Sequence, residues 1–200
     1  MKLDNCERRT HHYLGGKNMN KEKFIEIYNA NIKRDGADQL LKWLEESDFF
    51  AAPASTKFHM SREGGLMQHS INVWQRLKSL VYDNRKSNKH FSHISDETIA
   101  ICGLLHDLCK VNIYIRGPRG YYTDDQFSYG HGEKSVYIIN EFLRLTQEEA
   151  LAIRWHMGGF DAAANSGSWA MSNAWNKYPF CPLLHIADME ATYIDELEDE

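Results

Sequence analysis

Ile99-Ala100-Ile101-Cys102-Gly103-Leu104-Leu105-His106-Asp107-Leu108 runs apolar for seven residues and then ends on an imidazole and a carboxylate. Seven consecutive apolar side chains cover every side of a helix, so a helix here must be surrounded by other elements. Ser95 offers an N-cap, with acids following in the first turn, and this predicts a central helix over residues 96–110. His106 and Asp107 then fall among Leu104, Leu105 and Leu108. A buried ionised carboxylate is costly unless it is paired or bound to a metal.

The flanking sequence supplies the helices that would surround it. Phe24, Ile27, Tyr28 and Ile32 recur at helical spacing over 20–34, and Leu40, Leu41 and Leu44 share one side of 37–46. Residues 48–62 read as a loop, 66–82 as a long helix and 84–93 as a polar connector. After the central helix, Val111, Ile113 and Ile115, then Gly117-Pro118-Arg119-Gly120, then Tyr121, Tyr122 and Thr123 predict a short β-hairpin. Helices follow over 132–145 and 147–157, the second with a Thr146/Glu149 capping box and a stop at Gly158-Gly159. Residues 160–180 read as a long loop with one helical turn, Pro182 opens a last helix to about residue 194, and an acidic tail follows. The fold class is therefore all-α: a helical bundle with a small β-hairpin inserted between the central helix and the next.

The chain has 200 residues, 42% hydrophobic and 26% charged, which suits one globular domain with a sizeable core. A net charge of −5 argues against binding long nucleic acid electrostatically. No apolar run approaches the roughly 18 residues of a membrane span, and the start lacks the apolar segment of a secretory signal. Cys6, Cys102, Cys109 and Cys181 form no CxxC pair, so a reducing, cytoplasmic setting is expected. Residues 1–18 carry no helical or strand period. They are expected to stand outside a single domain over 19–200, either as a disordered N-terminus or as a translated leader before a native start at Met19.

Histidine is abundant, with ten in the chain. His69 has Leu66 three residues before it and Val73 four after it, so it shares the inward face of its helix. His156 follows Ala152 and Ile153 on another inward face. Asp188 sits inside Leu183-Leu184-His185-Ile186-Ala187-Asp188-Met189, and His131 opens a helix after the hairpin. Together with His106 and Asp107, polar ligands on five elements point toward one interior. Imidazoles and carboxylates together suit Mn, Fe, Co, Ni or Zn. The carboxylates favour a hydrolytic site with open positions over a closed structural one.

Gly64-Gly65-Leu66-Met67-Gln68-His69-Ser70, Leu104-Leu105-His106-Asp107-Leu108-Cys109-Lys110 and His185-Ile186-Ala187-Asp188 together resemble the H…HD…D signature of the HD-domain metal-dependent phosphohydrolases. The resemblance covers residues 64–195. It is similar to the HD module of bacterial 3′-5′ exoribonucleases and to cyclic-dinucleotide phosphodiesterases. These 200 residues carry no OB-like nucleic-acid domain like the former. Unlike the latter, they have no GYP element and only a single histidine at 156.

The resemblance implies one or two divalent ions (Mn, Fe, Co, Ni, Mg or Zn). His69, His106, Asp107 and Asp188 would hold the first, and Asp107 would bridge to a second held by His131 and His156. It implies in-line attack on a phosphoester by metal-activated water, whose pKa can fall from about 15.7 to about 7. Asp107 and Lys110 are the expected catalytic residues. Lys134, Arg62, Arg116 and Arg119 are candidates for phosphate contact. Tyr122 and Trp169, with Tyr121, Phe127, Tyr129, Phe160 and Trp175, are candidate stacking surfaces. His59, His90 and His93 are expected at the surface, His185 without a ligand role, and Cys102 and Cys109 as core thiols, Cys109 also close to the metal. The expected substrate is a nucleotide or similar small phosphorylated molecule. A 3′-5′ exonuclease on short single strands and a non-catalytic nucleotide-binding module are the alternatives.

Overall fold

The computed structural model describes residues 19–197, so the expectations for residues 1–18 and for the end of the acidic tail lie outside the described residues. In chain order the helices are α1 (19–31), α2 (Ala37–Glu46), α3 (Gly65–Arg85) and α4 (Asp96–Leu105). A two-stranded hairpin follows, β1 (Tyr114–Gly117) and β2 (Gly120–Thr123). Then come α5 (His131–Asn140), α6 (Gln147–Arg154), α7 (Ala162–Asn165), α8 (Ala170–Lys177) and α9 (Phe180–Glu190), the last running into a π-helical turn over Ala191–Asp195. The protein is thus an all-helical bundle with one antiparallel hairpin, in the register Tyr114↔Thr123, Ile115↔Tyr122, Arg116↔Tyr121. No helix among the described residues is long and apolar enough to cross a membrane.

The apolar run sits where its composition requires. Every residue from Ile99 to Leu105 in α4 is buried. The α4 helix packs on α3 and α6, α3 also packs on α9, and α6 packs on α5 and α9. Gly103 sets the closeness of the α3–α4 pair, because a Cβ there would lie 2.6 Å from the Cα of Trp74. A second close approach starts α3: a Cβ on Gly65 would lie 2.0 Å from the Met60 carbonyl oxygen. At the other end of the core, Phe24, Tyr28, Leu40, Leu44 and Phe49 are fully buried, and the Phe24 and Phe49 rings meet at 5.0 Å.

Several boundaries differ from the sequence expectation. The helix expected over 96–110 stops at Leu105. Asp107 leaves helical geometry (φ −105°, ψ 21°) and a 3₁₀ turn follows over Leu108–Lys110. Adjacent residues on a continuous helix do not face each other, so this break lets His106 and Asp107 address the same centre. The helices expected over 132–145 and 147–157 end early, at Asn140 and Arg154. Asn140 ends the first of them by accepting the Leu145 N–H at 3.1 Å. Residues 160–180 hold two helices rather than one turn. Asp161 caps the first of these, its carboxylate accepting the Ala163 and Ala164 N–H groups at 2.8 and 3.2 Å. The last helix begins at Phe180 and not at Pro182, because a proline in the first turn removes an N–H that has no helical partner. The Ser95 cap and the Thr146/Glu149 capping box are both present.

Candidate metal centre

Five segments deliver the ligands. His69 comes from the second turn of α3, and His106 and Asp107 from the break after α4. His131 is the first residue of α5, His156 lies just past the end of α6, and Asp188 is in α9. His69, His106, Asp107 and His156 are buried, and Asp188 and His131 are half-buried.

Asp107 is the hub. Its Oδ1 lies 2.8 Å from Nε2 of His131 and 3.5 Å from Nε2 of His156. Its Oδ2 lies 2.7 Å from the Lys110 ammonium and 3.5 Å from Nε2 of both His69 and His106. Asp188 approaches from the other side, with Oδ1 3.2 Å from Nε2 of His69. The ligand atoms of His69, His106 and Asp188 lie within 4.8 Å of one another, and so do those of His106, Asp107 and His156.

The outward nitrogens of three rings are already engaged. Nδ1–H of His106 donates to the Gly103 carbonyl at 3.1 Å, and Nδ1–H of His156 to the Ile153 carbonyl at 2.6 Å. Nδ1 of His69 meets the Glu196 carboxylate at 3.0 Å. Each bond fixes a tautomer and leaves Nε2 facing inward. All three Nε2 atoms are buried without a hydrogen-bond partner. Orphaned buried polar atoms are rare in folded proteins. Three of them facing two carboxylates form the donor set of a divalent-cation site, so the residues present fit such an ion.

The electrostatics agree with that reading. Burial works against the Asp107 charge, but Lys110 and the surrounding imidazoles hold its carboxyl well below the ordinary range. Asp188 is likewise lowered, against burial, by His69 first. Burial pushes His106 down to about 3, keeping it neutral and able to offer a lone pair. Burial also lowers His69, but the Asp188 and Glu196 carboxylates on either side outweigh it and raise the ring to about 9. A cation at this position would take the place of that proton. The Cys109 thiol is pushed up by burial to about 12.

The centre opens into a cavity of about 350 Å³, lined by Asp107, Lys110, His131, Asp188, His185 and the aromatic rings of Phe58, Phe160 and Tyr193 among others. His185 turns Nδ1–H to the His156 carbonyl at 2.7 Å. Lys110 is therefore in the cavity. Lys134 is not: it is buried in α5 and its ammonium meets Asp125 at 2.7 Å. Arg62 is exposed before α3, its guanidinium donating to the Met60 sulfur, and Arg116 and Arg119 are exposed on the hairpin. Tyr122 on β2 and Trp169 before α8 are also exposed. None of these six residues lines the cavity.

Residues that sequence reasoning passed over complete the site. His59, expected at the surface, is half-buried, with its ring 5.0 Å from that of His69. Its loop position carried no periodic signal. His90 and His93 are exposed, as expected. Glu196 is buried although it stands near the start of the acidic tail. Its carboxylate bonds His69 and accepts from Asn72 at 2.9 Å. Arg76 of α3 holds the preceding Asp195 at 2.7 Å, anchoring the π turn that presents Glu196. Outer carboxylates of this kind orient a ligating histidine. Glu196→Ala is expected to lower metal affinity about 10- to 100-fold. Competition against a chromophoric chelator measures this, with circular dichroism confirming the fold.

Compared with known families, residues 66–195 match the family model described as the HD domain. No curated protein and no solved structure gives a significant match to the chain.

Proposed function

This chain belongs to the HD domain family, and from that premise we propose that it is a metal-dependent phosphohydrolase cleaving a phosphoester of a nucleotide or related small molecule. The observation that carries the proposal is the set of three buried, unpartnered Nε2 atoms facing Asp107 and Asp188 beside an open cavity. A closed structural site would have no such access. A divalent cation held there supplies Lewis acidity toward a phosphoryl oxygen and lowers the pKa of water.

The chain's own residues account for substrate placement. Lys110 is held at 2.7 Å by Asp107 and lines the cavity, so its ammonium is oriented to meet a phosphate oxygen. Phe58, Phe160 and Tyr193 are 80%, 64% and 58% exposed, yet all three line the same cavity. Exposed rings on three separate segments around one mouth suit a flat aromatic group attached to the phosphate, and this supports a nucleotide over a sugar phosphate. The acidic net charge of −5 favours a small substrate over a long polymer.

Two measurements test this. A panel of nucleotides and p-nitrophenyl phosphate esters, assayed with Mn²⁺, Co²⁺, Ni²⁺, Mg²⁺ and Zn²⁺, is expected to show metal-dependent hydrolysis that a chelator abolishes. Nucleotide binding with metal bound and no hydrolysis under any ion would replace the enzyme with a binding module. Base stacking on an aromatic is worth about 1–3 kcal/mol. Phe58→Ala is accordingly expected to raise KM for a nucleotide by roughly 10-fold, with kcat unchanged and with no effect on a phosphoester lacking a base.

A further inference from the structure

His185 lines the cavity beside the metal centre. It stands on α9 one helical turn before Asp188, about 4.5 Å along the axis. Three neighbours fix its ring. Nδ1–H donates to the His156 carbonyl at 2.7 Å. Gly158 covers a ring face: a Cβ there would lie 2.6, 2.7 and 2.9 Å from Cε1, Nε2 and Nδ1, so only a glycine fits. The Trp175 ring lies 5.7 Å away between centroids, tilted by 33°.

These contacts leave one edge of the imidazole free. A carbonyl can only accept, so the proton sits on Nδ1 and the neutral ring presents the Nε2 lone pair as an acceptor. Nε2 makes no hydrogen bond among the described residues, and unlike Nε2 of His69, His106 and His156 it is not enclosed. A fixed acceptor on the cavity wall calls for a ligand that carries a donor. On one side of it, Asp188 belongs to the metal centre. On the other, Gly158 begins the 3₁₀ turn that ends at Phe160, a ring of the cavity mouth. A nucleotide with its phosphate at the metal and its base among Phe58, Phe160 and Tyr193 places its sugar between the two.

We propose that His185 is a specificity-determining residue whose Nε2 accepts a hydrogen bond from a hydroxyl of the substrate's sugar. The inference rests on the nucleotide reading above. His185 holds neither the metal nor the phosphoryl group, so it selects among nucleotides and leaves the bond cleaved the same. A sugar lacking the hydroxyl leaves Nε2 to water. Exchange of one neutral hydrogen bond for water at an accessible acceptor is worth roughly 2- to 10-fold in affinity.

The test takes the nucleotide cleaved fastest in the panel above and its forms lacking each free sugar hydroxyl, with the metal-loaded full chain. The readout is kcat/KM, or Kd where a nucleotide binds without turnover. Wild-type protein is expected to prefer the complete sugar over one of the deoxy forms by roughly 2- to 10-fold. His185→Asn keeps an N–H near the position of Nδ1 for the His156 carbonyl and removes the acceptor, so it is expected to abolish that preference. No preference in the wild type, or a preference that survives in His185→Asn, overturns the role of His185 and leaves the phosphohydrolase reading standing. No nucleotide cleaved or bound with any of the ions overturns both. Should His185→Asn fail to fold, a crystal structure of the wild-type protein with that nucleotide decides. A sugar hydroxyl about 2.7–3.2 Å from Nε2 supports the proposal, and a sugar placed elsewhere overturns it.

Discussion

Asp107→Asn is expected to lower metal affinity more than ~100-fold and to reduce metal-dependent hydrolysis to background. The substitution keeps the shape of the side chain and removes one charge. That charge is shared by Lys110 at 2.7 Å, His131 at 2.8 Å, and His69, His106 and His156 at 3.5 Å. Its two oxygens serve different rings, Oδ1 facing His131 and His156 and Oδ2 facing His69 and His106. An outer partner such as Glu196 bonds a single one of the inward-facing ligand rings, His69, so its loss is expected to be milder. Metal content after dialysis, read beside hydrolysis rates, measures the effect. Full metal content with unchanged turnover in Asp107→Asn would contradict the role given to this carboxylate.

The largest effect on stability is expected away from the site, at Glu149. Its side chain is fully buried and accepts from Arg34 through Nη1 at 2.8 Å and Nη2 at 2.9 Å. It also accepts from the Thr146 N–H at 2.8 Å and the Thr98 hydroxyl at 2.9 Å. One carboxylate thus ties the segment after α1 to the starts of α4 and α6. Breaking a buried ion pair costs about 3–5 kcal/mol, and Arg34 would keep only its contacts to the half-buried Glu97 at 3.3 Å and the Arg144 carbonyl at 3.0 Å. For a domain of this size each kcal/mol moves Tm by about 2–4 °C, so Glu149→Ala is expected to lower Tm by roughly 6–20 °C.

The pH dependence of that pair follows from the direction of the Glu149 shift. Burial opposes the charge, but Arg34, Thr146 and Thr98 more than offset it, and the carboxyl is held below its ordinary value. A depressed carboxylate contributes stability above its unfolded pKa of about 4.3, and loses it as pH falls through the folded value. Wild-type protein is therefore expected to lose part of its stability in acid, below about pH 4.3. Glu149→Gln should show a shallower fall over the same range. Denaturant midpoints measured between neutral and acid pH check this, and parallel curves for the two proteins would contradict it.

The residues that sequence exposed most clearly are those whose surroundings are local. The apolar run of α4 announces a buried helix, Ser95 and Thr146 announce caps, and His69, His106, His156 and Asp188 stand out as polar interruptions of apolar faces. What sequence hid depends on distant parts of the chain. Glu149 reads as the third residue of a capping box, yet its ion-pair partner lies 115 positions away. Glu196 is lost in an acidic run until Asn72 and His69 are seen to meet it. The turn at Asp107 is equally hidden, since helical spacing continues through Lys110 and only the cluster gives a reason to break it. Phe58 sits in a loop with no periodicity, and its place at the cavity mouth comes from packing alone.

Anomalous diffraction from crystals loaded with Zn²⁺ or Mn²⁺ tests the metal centre most directly. The expected density lies within about 2.0–2.2 Å of the inward imidazole nitrogens and of carboxylate oxygens from Asp107 or Asp188. Metal located elsewhere, or no ordered metal while these histidines keep their positions, would contradict it.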